Sequence, residues 1–248
     1  GTPLPPSFDA EGLALTGGHG VWIVSEGRRQ AGHQARLQRF SLRNGRLLET
    51  MPLPSAWTAL PGQGLAANQG PESLTRSIEG GLLLAAEAPL LQDLAQGDTD
   101  GVRLAHLDLE GVVEERGRLP LDSVSSDPKE TDPKETVGLT ELLALDGPPA
   151  LLALIRRHRP LHWTAKLQLF SWPPRPSPLA LQPITGWDFT TEEVPRENWE
   201  GLAWGPKLDD GRRTLVIVSD DNFSLIQRNL VGLLAPRRSP QCRSLPKD

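Results

Sequence analysis

One cysteine stands among 248 residues, Cys242 near the C-terminus, so neither an intrachain disulfide nor a multi-cysteine metal site is available. No apolar run approaches the roughly 20 residues that a membrane-crossing helix needs. Acidic side chains outnumber basic ones, 31 to 26, and the arginines are dispersed, which removes the electrostatic footprint of a nucleic-acid binder. There is no G-x-S-x-G, and His19, His33, His106, His158 and His162 have no spacing that defines a triad, so serine-hydrolase chemistry is set aside. The chain opens GTPLPPSF, with neither an initiator Met nor a signal-peptide pattern, and reads as having a processed or trimmed N-terminus.

What is plentiful is turn chemistry, 24 Gly and 24 Pro, with seven Trp to serve as bulky wedges. That mixture suits many short strands and an all-β fold. One phrase recurs four times: FDAEGLAL around Glu11, GPESLTRS around Glu72, VGLTELLAL around Glu141 and NWEGLAWG around Glu200, at steps of 61, 69 and 59 residues. Each is followed by a turn and a second apolar strand: VWIVSE, LLLAAE, LLALIRR and LVIVSD. Four strands can be read in each of the first three copies, which makes the unit a propeller blade. The fourth copy runs into a polar tail without an obvious last strand, a place that an N-terminal segment could fill. We therefore expect a single β-propeller domain over 1–248, with units at roughly 9–67, 68–136, 137–195 and 196–236 and a tail at 237–248. DPKETDPKET, residues 127–136, and the proline-rich stretch after Trp172 read as exposed connecting loops.

Within each copy the spacing carries the chemistry. Hairpins centred on Gly18-His19, Glu79-Gly80, Pro148-Pro149 and Asp210 make Glu11 face Glu26, Glu72 face Glu87, Glu141 face Arg156, and Glu200 face Asp220. Like charges opposed on neighbouring strands destabilise the pair, so three of the four hairpins carry acids that packing alone would not place there. Glu11, Glu72, Glu141 and Glu200 are expected to begin the innermost strands and to ring the axis. Clustered carboxylates must take up protons, pair with arginine or hold a cation, and a set of oxygen donors without His or Cys suits a hard ion, Ca²⁺ first. Arg28 with Arg29, and Arg156 with Arg157 and Arg159, fall on the same rim, where a guanidinium can meet an anionic substrate.

In DAEGLAL with WIVSEG, NQGPESLT with LLLAAEAPLLQD, and ENWEGLAWGP with TLVIVSDDNFS, the sequence resembles the phytase-like family, called esterase-like activity of phytase. The resemblance implies an exported protein, periplasmic or secreted, that hydrolyses phosphate (phytate-like) or other esters. It places the family's acids on Glu11, Glu26, Glu72, Glu87, Glu200, Asp220 and Asp221, with Asn222 beside them. Family members typically begin with one further copy of the unit, so this chain is expected to form an incomplete or differently closed ring. In the third copy Arg156 stands where the family tends to have an acid.

The leading expectation is a metal-dependent ester hydrolase acting on a small anionic ester. Glu11, Glu26, Glu72, Glu87, Glu200 and Asp220 are the candidate cation ligands, Glu141 and Asp221 the candidate catalytic acids, and Arg156, Arg28 and Asn222 the candidate substrate contacts. A calcium-dependent lactonase is a close variant. The opposing class is a non-catalytic exported propeller whose acids hold a structural cation or a partner. The sequence leaves the oligomeric state open.

Overall fold

The computed structural model describes residues 8–28, 31–99, 101–121, 136–160, 162–173 and 179–237. Four antiparallel sheets form a four-bladed β-propeller. The first blade is β1 (Ala10–Thr16), β2 (Gly20–Ser25), β3 (Arg36–Ser41) and β4 (Leu47–Met51). The second is β5 (Pro71–Arg76), β6 (Leu82–Ala86), β7 (Gly101–Leu107) and β8 (Val113–Pro120), with a short helix α1 (Leu91–Ala95) between β6 and β7. The third is β9 (Thr136–Asp146), β10 (Pro149–Arg159), β11 (His162–Ser171) and β12 (Pro183–Asp188). The fourth is β13 (Trp199–Lys207), β14 (Arg213–Ser219) and β15 (Val231–Leu234). Chain order is spatial order in every sheet, so each blade is a meander and its first strand is innermost. The β1–β2 turn depends on left-handed backbone at Gly18 and His19, φ 83° and 62°, which matches the turn to the twist of the strands.

Two strands show how the blades stack. Along β10, Leu151, Ala153 and Ile155 enter the core shared with the second blade, while Leu152 and Leu154 enter the core shared with the fourth. Along β6, Leu82, Leu84 and Ala86 face the first blade, and Leu83 and Ala85 face the third. Side chains alternate across a strand, so a continuous apolar run builds a core on each side. Cutting one of these leucines, Leu84 or Leu154, to Ala costs about 2–5 kcal/mol.

The outer two blades differ. In β14, Leu215 and Ile217 pack toward the third blade, while Val218 on the opposite face is 40% exposed, as are its neighbours Val231 (79%) and Leu233 (55%). In β1, Leu13 (54%) and Leu15 (57%) are exposed in the same way. Among the described residues, apolar cores join the first blade to the second, the second to the third and the third to the fourth, and none joins the fourth to the first.

The fourth blade has three strands among the described residues; the closing strand anticipated from the N-terminus would involve residues 1–7, outside them. The expected loop at 127–136 likewise lies outside the described residues up to 135, and Thr136 already begins β9. Helix α1 was not anticipated. Its Asp93 is fully buried and accepts from Arg103, at 2.6 Å, and Arg118, at 3.2 Å, which fixes the segment against β7 and β8.

Candidate functional site

The inner strand of every blade carries a β-bulge, where two residues oppose one. In the second blade the register passes from Pro71–Ala86 to Ser73–Ala85 and leaves Glu72 extra. In the fourth it passes from Trp199–Ser219 to Gly201–Val218 and leaves Glu200 extra. The first blade shifts between Ala10–Ser25 and Leu13–Ile23, around Glu11. In the third, the pairs are Leu139–Ile155 and Glu141–Leu154, so the bulged residue is Thr140.

That one-residue difference overturns the four-glutamate ring. The equivalent positions are Glu11, Glu72, Thr140 and Glu200, and the Thr140 hydroxyl lies 3.3 Å from the carbonyl oxygens of both Leu154 and Trp199. Glu141 turns instead into the packing between the second and third blades. There its Oε1 accepts from the N–H groups of Leu74 (3.1 Å) and Leu142 (2.9 Å). Burial pushes its carboxyl up to about 8, against the opposing pull of those two N–H groups. The structure does not bring Glu141 to the other acids, and its expected catalytic place is corrected to one inside a blade interface.

A second set of equivalent positions follows from the hairpins: Glu26, Glu87, Arg156 and Asp220. The backbone N–H groups of the three acids donate to the carbonyls of Asp9 (3.2 Å), Gly70 (2.8 Å) and Asn198 (3.1 Å), and Arg156 pairs with Gly138. Gly70, Gly138 and Asn198 also touch the blade before them. Gly70 N–H donates to Glu26 Oε2 at 3.1 Å, and a methyl group on Gly70 would overlap Glu26 Cβ. Gly138 lies as tightly against Glu87. Asn198 Oδ1 accepts from Arg156 at 2.6 Å.

Arg156 reaches Glu87 Oε1 at 2.7 Å and Glu200 Oε1 at 2.5 Å, while Asn198 Nδ2 donates to Glu200 Oε1 at 2.7 Å. Burial raises the Glu72 carboxyl well above the usual range, the Glu87 charge adds to this, and Arg156 opposes it. Burial likewise raises Glu200, with Arg156 and Asn198 opposing. Arg156 is thus the counter-ion of Glu72, Glu87 and Glu200.

Among the described residues, no such guanidinium is built into the first blade. Carboxylate oxygens of Asp9, Glu11 and Glu26 all lie within 4.8 Å of one another. Glu11 keeps water on one side, yet its carboxyl is pushed up to about 8, first by the protein that displaces water from its other sides and then by Glu26, Asp9, Glu200 and Glu87. Glu26 is raised by burial, with the Gly70 N–H opposing. Arg28, exposed, comes no nearer than 3.9 Å to Asp9. Asp9 was missed from the sequence, although DAEGLAL contains it. It and Asn198 share the place two residues before the bulged glutamate, where the other two blades have Gly70 and Gly138.

Asp220 is exposed beside Glu200 and adds to its raised pKa. Asp221 and Asn222 are not brought to the group. Asp221 Oδ1 accepts from Phe223 N–H at 2.9 Å, and Asn222 has φ 48°, which makes this segment a tight turn. A cavity of about 380 Å³ opens beside Asp9 and Glu26. Another, of about 200 Å³, lies by the β5–β6 hairpin at Glu79 and His106, the opposite end of that hairpin from Glu72.

A family model described as phytase-like, esterase-like activity of phytase, matches residues 1–223. The chain belongs to the phytase-like family. Its match takes in both the phytase-like carboxylate rim and Arg156, and stops before β15. No curated protein gives a match to the chain.

Proposed function

We propose that this phytase-like propeller is a metal-dependent ester hydrolase whose divalent cation, Ca²⁺ first, is held by Asp9, Glu11 and Glu26. The observation that carries the reading is the convergence of three carboxylates within 4.8 Å with no guanidinium of the described residues built in between them, while the neighbouring acids have one. An all-oxygen donor set with water on one side fits a hard ion. Of the other candidate ligands, Glu72, Glu87 and Glu200 belong to the Arg156 network, and Asp220 extends the acidic rim. Bound there, the cation would supply Lewis acidity to the ester's oxygen.

The chain's own groups account for the remaining chemistry. Glu72, buried and raised above the usual carboxylate range, is the base that takes a proton from the attacking water. The water oxygen bonds to the ester carbon or phosphorus, the bond to the leaving oxygen breaks, and the proton held by Glu72 passes to that oxygen. Arg28 stands at the edge to meet the substrate. An open site of this kind resembles the weak calcium sites of extracellular modules, of order 10⁻⁴–10⁻³ M, which suits a periplasmic or secreted protein.

The test is turnover of simple carboxylic and phosphate esters with Ca²⁺ and with a chelator, in the wild type and in Glu26→Gln. Calcium-dependent hydrolysis that disappears in the variant supports the reading. Calcium binding with no turnover of any ester leaves a structural ion in a non-catalytic propeller.

A further inference from the structure

We infer that Ser25 is the positioning residue of the first-blade carboxylate group: its hydroxyl holds the backbone of Asp9 and Glu26 at the spacing at which they meet a cation. The inference rests on the cation reading above and adds the residue on which that site's geometry depends.

Ser25 ends β2 and is 2% exposed. Its Oγ accepts from two backbone N–H groups, Asp9 at 3.0 Å and Gly27 at 3.2 Å. The first bond reaches across the hairpin. Strand pairing there begins at Ala10–Ser25, so Asp9 lies just outside the ladder and is tied to β2 by this hydroxyl and by its own carbonyl, which accepts from Glu26 N–H at 3.2 Å. The second bond closes a turn between residues two apart, with Glu26 at its tip and Gly27 at φ 72°. One oxygen therefore grips the chain at Asp9 and immediately after Glu26.

Burial makes the grip hard to replace. With the hydroxyl removed, water has little access to the two N–H groups, and leaving them unpaired is costly, so the segments carrying Asp9 and Glu26 must shift. Glu26 has a further hold on its side chain, the Gly70 N–H at 3.1 Å. The Asp9 carboxylate has Arg28 at 3.9 Å, and its placement follows its backbone. Groups that orient metal ligands set affinity almost as strongly as the ligands themselves.

The other blades show that the fold alone does not ask for this hydroxyl. The positions equivalent to Ser25 are Ala86, Ile155 and Ser219, and the second and third blades, with Ala86 and Ile155, have Gly70 and Gly138 in the place of Asp9. The fourth blade is the closest comparison, since it has both a serine and a polar residue, Asn198, in those places. Yet Ser219 Oγ engages the β14–β15 connection, donating to the Arg228 carbonyl at 2.7 Å and accepting from Leu230 N–H at 2.9 Å. The N–H of Asp221, counterpart of Gly27, donates to Asn229 Oδ1 at 2.9 Å. Asn198 is held instead through Arg156, at 2.6 Å. The same residue in the same place fastens a loop in one blade and the carboxylate group in the other.

The experiment compares Ser25→Ala, Ser25→Thr and Ser219→Ala with the wild type. Calcium affinity is read by calorimetry, and the calcium-free proteins are followed by urea unfolding and by amide hydrogen exchange at Asp9 and Gly27. Ser25→Ala is expected to weaken calcium binding about 10- to 100-fold. Exchange at Asp9 and Gly27 should quicken about tenfold or more in that variant, without calcium present. Ser25→Thr keeps the acceptor and should bind calcium within about threefold of the wild type, as should Ser219→Ala even where it loses stability. Wild-type affinity in Ser25→Ala overturns the inference and leaves the cation reading standing. So does equal weakening in Ser25→Ala and Ser219→Ala, which would mark a general loss of stability. Should Ser25→Ala fail to fold, slow exchange at Asp9 and Gly27 in the wild type together with retained affinity in Ser25→Thr supports the inference, and the absence of either overturns it. A wild type that binds no calcium defeats the cation reading and this inference together.

Discussion

The two halves of the acidic rim occupy equivalent positions and meet the same electrostatic problem in opposite ways. Around the second, third and fourth blades, Glu72, Glu87 and Glu200 gather about Arg156, with Asn198 joining the guanidinium to Glu200. On the first blade, Asp9, Glu11 and Glu26 converge with Arg28 only at the edge. Like charges brought together need a compensating charge. Where the third blade has Arg156 in the place of Glu26 and Glu87, the chain supplies that charge itself, and where it does not, the raised Glu11 carboxyl and the proposed cation are the ways to meet the need.

The sharpest way to break the comparison is to remove the built-in cation. Arg156→Ala strands three buried or half-buried carboxylates and is expected to cost about 3–5 kcal/mol in urea unfolding at neutral pH. Acidification should restore part of the loss, because Glu200, already raised by burial, can then protonate. A change within experimental error would mean that Arg156 is not the counter-ion.

Next in size is Gly70→Ala. The added methyl collides with Glu26 Cβ and should cost about 1–3 kcal/mol, displacing Glu26 from its bond to the Gly70 N–H. Gly17→Ala, where nothing stands within 4 Å, is the control and should be close to neutral.

An effect spread over pH, small over any single unit, belongs to Glu141. Its pKa rises from 4.5 to about 8 on folding, so the folded state holds the extra proton, and stability falls as pH rises through this interval. The slope from this group reaches at most about 1.4 kcal/mol per pH unit. Glu141→Gln keeps an acceptor for the Leu74 and Leu142 N–H groups and removes the titration. The difference between wild-type and variant unfolding free energies should therefore widen with pH from 4.5 to 8 and level off beyond it. Parallel profiles would show that Glu141 carries no raised pKa.

Much of this architecture is legible in the sequence because it repeats. The phrases around Glu11, Glu72 and Glu200 locate three inner strands and the acids on them, and the hairpin spacing locates Glu26, Glu87, Arg156 and Asp220. The slip at Glu141 has a physical cause: a bulge adds a residue without any compositional mark. The better guide is the leucine two positions on, since Leu74, Leu142 and Leu202 are all buried against the preceding blade, and counting back from Leu142 gives Thr140. Leu13 holds that position on the first blade and is 54% exposed, since none of the cores among the described residues extends to it. Arg156 was visible as the departure from the acidic pattern. Its partners were not, because they come from neighbouring blades, and spacing within one copy says nothing about contacts between copies.

Calcium titration by calorimetry of the wild type, Glu26→Gln and Glu87→Gln tests the central claim most directly, since the two glutamates hold the same place in adjacent blades. The account predicts one calcium ion per chain in the wild type, affinity lost in Glu26→Gln, and affinity kept within a few-fold in Glu87→Gln. No calcium binding at millimolar concentration, or a loss in Glu87→Gln with Glu26→Gln unaffected, would contradict it.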